Sequence, residues 1–234
     1  MKIWNQPTRL RHIAFCLYAI ATCILLGFGG RYILSWPGFS VGDVKIMGEV
    51  KHISPVQVER VIQRTIKGNF FTANVGEVRE ALGAVPWVRH VIVKRRWPAM
   101  LEIYFEEHRP IARWAKGGLV NTYGEIFTAD YAGVGKLPLW SAPLGSEKEL
   151  VRRQSILVEN LEPLGLKVSG LDLSARHALV LVVNQGVKVF LGRDNVEERL
   201  RRFAWAHRNV LHTRFGQLEY VDLRYNNGFV VKRR

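Results

Sequence analysis

The sequence predicts an α+β protein: one transmembrane helix, then a small βααββ unit, then a mixed β domain with flanking helices and an open C-terminal edge strand. Three observations carry this. Residues 13–30 read IAFCLYAIATCILLGFGG, a run without a charge. Over residues 41–105 the apolar period then switches between 2 and 3.6 in the order β-α-α-β-β. Beyond Glu107 short alternating runs are separated by Gly-rich turns and interrupted by two helical stretches.

At 1.5 Å per residue the uncharged run covers about 27 Å, close to the hydrocarbon thickness of a bilayer. Continuation through Arg31 to Leu34 lengthens it, with Arg31 placed to snorkel. Thr22 is satisfied if its hydroxyl bonds back to a helix carbonyl. Trp4 before the run, and Tyr32 and Trp36 after it, suit the two interfacial aromatic belts. A cleaved signal peptide fits less well, because the run exceeds an h-region and no A-x-A-like site follows. A buried core helix this uniformly apolar is rare. Lys2, Arg9 and Arg11 precede the run without an acidic residue, so residues 1–11 are expected in the cytoplasm, 12–34 in the membrane, and the rest on the far side. In a Gram-negative cell that side is the periplasm. Both cysteines, Cys16 and Cys23, lie inside the span on one helix face, so the exported part relies on packed cores and not on disulfides. Lys and Arg number 34 against 20 Asp and Glu, a net charge of +14. A surplus of that size suits nucleic acid, an anionic membrane or an acidic protein partner; the exported location argues against nucleic acid.

The exported elements follow in order. Val41–Glu49 reads as a strand with Val44 and Ile46 on one face. Ser54-Pro55 opens a helix, Ser54 as N-cap and Pro55 at its first position, with Val58, Val61, Ile62 and Ile66 at helical spacing. Asn74 with Glu77 forms a capping box for a shorter helix through Leu82. Val85–Pro98 is a strand closed by Trp-Pro, and Met100–Phe105 is its antiparallel partner, with Leu101, Ile103 and Phe105 inward. Two helices on a three-stranded sheet can close a small core. Short strands are then expected at Ile111–Trp114, Leu119–Asn121 and Ile126–Phe127, with a further apolar piece at Pro138–Trp140. Ser146 with Glu149 predicts a capped helix to Leu161. Strands follow at Lys167–Leu173, Ala178–Val183 and Val187–Leu191. Asp194 with Glu197 predicts a capped last helix, Val196–Leu211, with Leu200, Phe203, Ala204 and Val210 inward. The end, YVDLRYNNGFVVKRR, alternates Val221, Leu223 and Tyr225 against Asp222 and Arg224, turns at Asn226-Asn227-Gly228 and starts a strand at Phe229.

No constellation of catalytic residues emerges. The seven histidines form no HExxH spacing, and His207 and His212, five apart, are not expected on one helix face. Glu106 and Glu107 are adjacent and diverge along a strand. There is no G-x-S-x-G, and LGRDN at residues 191–195 reads as a turn and helix cap. Lys94-Arg95-Arg96 reads as a solvated hairpin tip, and Arg199, Arg201, Arg202 and Arg208 as the polar side of the last helix. Neither an enzyme nor a metal or cofactor site is predicted.

PWVRHVIVKRRWP…LEIYFEEHRPIARW from Pro86 to Trp114, LGRDNVEERLRRF from Leu191 and YVDLRY from Tyr220 resemble the FtsQ/DivIB family of bacterial cell-division proteins. The element order matches too, over nearly the whole chain. The resemblance implies a POTRA domain over residues 40–108 and a periplasmic β domain over 109–234. It also implies a non-enzymatic inner-membrane scaffold at the septum, among other divisome proteins. In that family the bitopic partners FtsB and FtsL are held in a subcomplex that regulates septal peptidoglycan synthesis, and FtsB adds a strand beside the last strand of the β domain. Arg224, Tyr225 and Gly228 match positions at that contact. Asn227, Phe229 and Val230 belong to the same turn and strand, and Arg176 sits where the family places an arginine for an acidic residue of the partner. Where the family's strand often continues with another aromatic, this sequence has Lys232-Arg233-Arg234, and its edge is expected to be smaller. The competing reading is a POTRA-bearing component of a transport or secretion pathway, which would call for several POTRA units or an outer-membrane barrel.

Overall fold

A computed structural model of the chain describes residues 7–34, 41–48, 50–226 and 228–234. Lys2, Trp4, Trp36 and Asn227 lie outside the described residues. Helix α1, Pro7–Leu34, starts on its proline, where a missing N–H costs nothing. Over Arg11–Tyr32 it is long and apolar enough to cross a membrane. Thr22 Oγ1 donates to Tyr18 O at 2.8 Å, which satisfies that hydroxyl within the helix as anticipated.

The chain divides into two compact units, Met1–Glu107 and His108–Arg234. In the first, β1 (Val44–Met47), α2 (Pro55–Thr65), α3 (Val75–Gly83), β2 (Val88–Arg96) and β3 (Met100–Glu107) follow the expected βααββ order. The sheet runs β1-β3-β2, with β1 parallel and β2 antiparallel to the central β3. Leu101, Ile103 and Phe105 of β3 are buried with Val58 and Ile62 of α2 and Val78 and Leu82 of α3. The Asn74 side chain accepts the Gly76 and Glu77 N–H groups, so the expected N-cap forms, and Glu77 reaches back to the Asn74 side-chain amide in place of its backbone N–H. Ser54 is the N-cap of α2, but its hydroxyl makes no capping bond; its carbonyl accepts from Gln57 and Val58 instead. Glu107 turns back to accept the N–H groups of Lys51, His52 and Ile53 at 2.9–3.0 Å. Burial alone would raise its pKa, but these backbone donors outweigh it and hold the carboxyl below its usual value. The tip at residues 94–96 is exposed as expected, and its side chains still find neighbours: Lys94 lies over Tyr104, Arg95 donates to Ala73 O and Arg96 faces Glu102.

The second unit is a nine-stranded sheet under two helices, α4 (Glu147–Leu161) and α5 (Val196–Ala206). Its strands are β4 (Pro110–Trp114), β5 (Leu119–Asn121), β6 (Ile126–Phe127), β7 (Leu139–Ser141), β8 (Val168–Leu173), β9 (Leu179–Val183), β10 (Val187–Gly192), β11 (Leu218–Asp222) and β12 (Val230–Arg233). Their order across the sheet is β12-β11-β10-β9-β8-β7-β4-β5-β6. Leu179, Leu181 and Val183 of β9 and Val187, Val189 and Leu191 of β10 are fully buried, together with Leu150, Leu157 and Leu161 of α4 and Leu200 and Phe203 of α5. Period-2 alternation in the strands meets period-3.6 alternation in the helices, and the two together make one core.

Three local expectations fail here. Ser146 makes no side-chain cap: its backbone is not extended, at φ -94 and ψ 3, its N–H donates to Pro143 O, and Glu149 pairs with Arg153 and with His177 Nδ1, 3.0 Å away. The N-cap of α5 is Asn195, in a left-handed conformation, while Asp194 pairs with Arg193. Finally, α5 ends at Ala206 and continues as one π turn, His207–Leu211, closed by His212 N–H donating to His207 O at 2.9 Å. The wider turn delays the inward face, so Val210 is exposed while Ala206, His207 and Leu211 are buried. It also stacks residues five apart, so His207 and His212 feel one another after all. Burial first, and the His212 charge second, push the His207 pKa down.

Candidate functional site: a sheet edge and its clamped loop

The last fifteen residues build a hairpin that is also an edge. Strand β11 pairs in parallel with β10, and β12 folds back antiparallel to β11, with Val230 opposite Asp222 and Val231 opposite Val221. Among the described strands β12 is terminal in the sheet. Arg234 N–H donates to Gln217 O at 3.0 Å, so alternation aims the N–H and C=O groups of Val231 and Arg233 away from β11. All four residues of β12 are exposed. Such an edge offers unpaired backbone groups as a template for another strand.

The loop between the two strands, 223–229, is held from three sides. Leu223 is fully buried and donates its N–H to Phe190 O at 3.0 Å. Arg224 turns back on Asp222, with Nε 2.9 Å from Oδ1 and Nη2 2.6 Å from Oδ2, and its guanidinium lies 5.2 Å from the Phe190 ring centre. That bidentate arginine lowers the Asp222 pKa against the opposing effect of burial. From α5, Arg202 Nη1 donates to Tyr225 O at 2.9 Å and to Asn226 O at 2.7 Å, with Gly228 O at 3.4 Å. Arg199 Nη1 donates to Leu191 O at 2.6 Å, and Nη2 lies 3.4 Å from Arg224 O. Gly192 leaves the room: at φ +75 it lacks a Cβ that would otherwise sit 2.6 Å from Arg199 Nη1 and 3.2 Å from Arg224 Cγ.

Register brings the site residues to one end of the sheet. Leu179 lies opposite Gly192, Phe190 opposite Asp222, and Asp222 opposite Val230. The β8–β9 turn carrying Arg176, the 223–229 loop and the start of β12 therefore share that end. Arg176 is exposed in a tight turn closed by Ser174 and Ala178, with His177 at φ 59. Tyr225 is 57% exposed and Val230 45% exposed. Phe229 packs partly against the core, and Gly228 is half-buried with open space where a Cβ would stand. Asn227 lies outside the described residues.

Two sequence expectations change. Val221 and Leu223 are buried as alternation implies, but Tyr225 does not share their face, because pairing stops at Asp222 where Arg224 folds back. The arginines of α5 are more than a polar face: Arg199 and Arg202 hold the loop's carbonyls. Their spacing of three, on one side of a helix that follows a glycine turn, was the available signal. Among the described residues no cluster of three or more His, Cys, Asp or Glu could hold a metal.

A bilayer-length helix, a βααββ unit and a β domain ending in a free edge define a class: single-span membrane proteins that carry a POTRA domain and a β domain. Comparison with known proteins narrows it. Residues 39–108 match the family model described as POTRA domain, FtsQ-type, and residues 112–224 match cell division protein FtsQ/DivIB, C-terminal. The cell division protein FtsQ of Burkholderia pseudomallei is 34% identical over 98% of this chain and 94% of its own. That of Nitrosospira multiformis is 32% identical over 98% and 99%. The Coxiella burnetii protein is 34% identical over 81% and 79%. The chain belongs to the FtsQ/DivIB cell-division family. Membership carries a role in the division machinery and contacts with other division proteins, and the apolar helix fits a single-pass inner-membrane protein.

Proposed function

We propose that this chain is a non-enzymatic divisome scaffold. It spans the inner membrane once with its N-terminus in the cytoplasm and gathers at the septum. There it binds FtsB- and FtsL-type bitopic partners in the periplasm and helps control septal peptidoglycan synthesis. Residues 40–108 and 109–234 act as its two periplasmic domains. The supporting observation is the exposed edge of β12 beside a loop whose backbone is fixed and whose Tyr225 is left 57% exposed. A partner strand laid along β12 satisfies the outward backbone groups, and Tyr225 supplies aromatic area at one end. Arg176 contributes charge from the neighbouring turn. Arg224 contributes the exposed part of a guanidinium already braced by Asp222, so it binds as a rigid group.

The test is Tyr225→Ala, titrated calorimetrically with the periplasmic segment of an FtsB-like partner. An interface aromatic of this kind is worth about 2 kcal/mol, roughly a 30-fold loss of affinity. Unchanged affinity would remove this edge from the interface. A fluorescent fusion that stains the membrane evenly, without midcell enrichment, would count against the septal role.

A further inference from the structure

The first unit carries a second unpaired edge. Strand β1 pairs only with β3 among the described strands. Leu101 N–H donates to Asp43 O at 3.0 Å, so the alternate residues Val44 and Ile46 aim their backbone groups the other way. Beside that edge, between β1 and α2, lies a groove of about 520 Å³. Its floor includes Val58 and Ile62, 1% and 5% exposed, and its wall includes the side chains of Val44 and Ile46. Among the described residues lining it none is a cation, although the chain carries +14; Asp43 and Glu59 are its charged members. Gln63 donates to Glu59 Oε1 at 3.1 Å and steadies that carboxylate on the rim. Lys45, by the period of the strand, belongs to the opposite face.

An open edge, an apolar trough alongside it and two carboxylates at its margin have one chemistry in common. We propose that β1 and the groove receive an extended segment of a partner protein, apolar where it enters the trough and bearing a lysine or arginine that meets Asp43 and Glu59. Backbone pairing to Val44 and Ile46 supplies affinity, the trough takes alternate side chains, and the rim selects charge. This surface belongs to the first unit and does not depend on the reading of β12.

The full chain in phospholipid nanodiscs would be titrated with three fluorescein-labelled octapeptides of alternating Thr and Val. Two of their polar positions are Lys, Gln or Glu, and binding is read by anisotropy. The Lys peptide should bind tightest, about fivefold or more above the Glu peptide. Glu59→Lys, a substitution on the exposed side of α2, should reverse that order. Val44→Pro, which deletes an outward N–H, should weaken all three. A thermal melt establishes that each variant is folded, and the Glu59→Lys result stands if Val44→Pro is not. Equal affinity for the three peptides, no binding, or an order untouched by Glu59→Lys would overturn the proposal. So would a sedimentation dimer abolished by Val44→Pro, which would give the edge to a second copy.

Discussion

Removing Arg202 separates the clamp from the surface it holds. In Arg202→Ala the carbonyls of Tyr225 and Asn226 lose donors at 2.9 and 2.7 Å, while every side chain of the 223–229 loop is kept. A hydrogen bond to a charged donor is worth about 1.5–3 kcal/mol when dry. Here the carbonyls recover water when the guanidinium leaves, so about 1 kcal/mol for each, or about 2 kcal/mol together, is the appropriate scale. Ordering a backbone residue costs about 1–2 kcal/mol, so this is enough to release one or two loop residues but not to unfold a sheet. If the loop binds a partner, that ordering is charged to the complex, and affinity falls by about 30-fold. Two measurements check this on the full chain. Hydrogen–deuterium exchange should rise over residues 223–226 while the amides of β9 and β10 stay protected. Titration with FtsB- and FtsL-type periplasmic segments should show the weaker binding. Arg202→Lys keeps the charge but loses the planar fork, and should recover only part of both. Unchanged exchange at 223–226 would refute the clamp. Raised exchange with unchanged affinity would uphold the clamp and detach the loop from the interface.

Two glycines at this end of the sheet should behave oppositely. Gly192→Ala forces a side chain into a left-handed position 2.6 Å from Arg199 Nη1 and should lower the melting temperature, whereas Gly228→Ala enters open space and should leave it unchanged, so any loss of partner affinity in Gly228→Ala reports contact alone. The Asp222 carboxyl, held below its ordinary 3.8 by Arg224, stabilises the fold fully above the ordinary carboxylate range, and that contribution is lost as pH falls through the lowered value. Asp222→Asn should therefore cost about 1–3 kcal/mol at neutral pH and flatten the acid limb of a stability–pH curve; an acid limb of the same steepness in the variant would contradict the assignment.

Much of the fold was legible because period and punctuation agreed. The βααββ order, the N-cap at Asn74, the Thr22 back-bond and the hairpin at the end all follow from side chains acting within a few residues of themselves. What failed was settled at longer range. Glu149 pairs with an i,i+4 arginine and with a histidine from the β8–β9 turn, and the Ser146 N–H is taken by Pro143 O, so the expected capping box does not form. The π turn at His207 changes the helical period in mid-course, which a pattern of fixed spacing cannot express. The parallel pairing of β10 with β11 joins segments separated by α5, and alternation within either strand carries no information about its neighbour. The loop clamp was hidden for the same reason: Arg202 and Gly228 are 26 positions apart.

If β12 takes a partner strand, the same edge has to be closed to its own copies. Two β12 strands meeting edge to edge, antiparallel and centred on Lys232, would set that residue against its own copy with Arg233 close beside it. Like charges placed across a strand pair are destabilising, so the basic end of the strand works as a guard. Glu219 relieves only part of it, by pairing with Lys232 Nζ at 2.8 Å on the β11 side. Arg233 stands exposed at the margin where a strand would join. The same residues that deter a second copy leave pairing open to a strand without that charge. Replacing Lys232 and Arg233 by threonine would preserve strand propensity while removing the guard. Sedimentation of that variant should reveal more self-association than the parent shows, and a variant no more associated than the parent would show that charge does not guard β12.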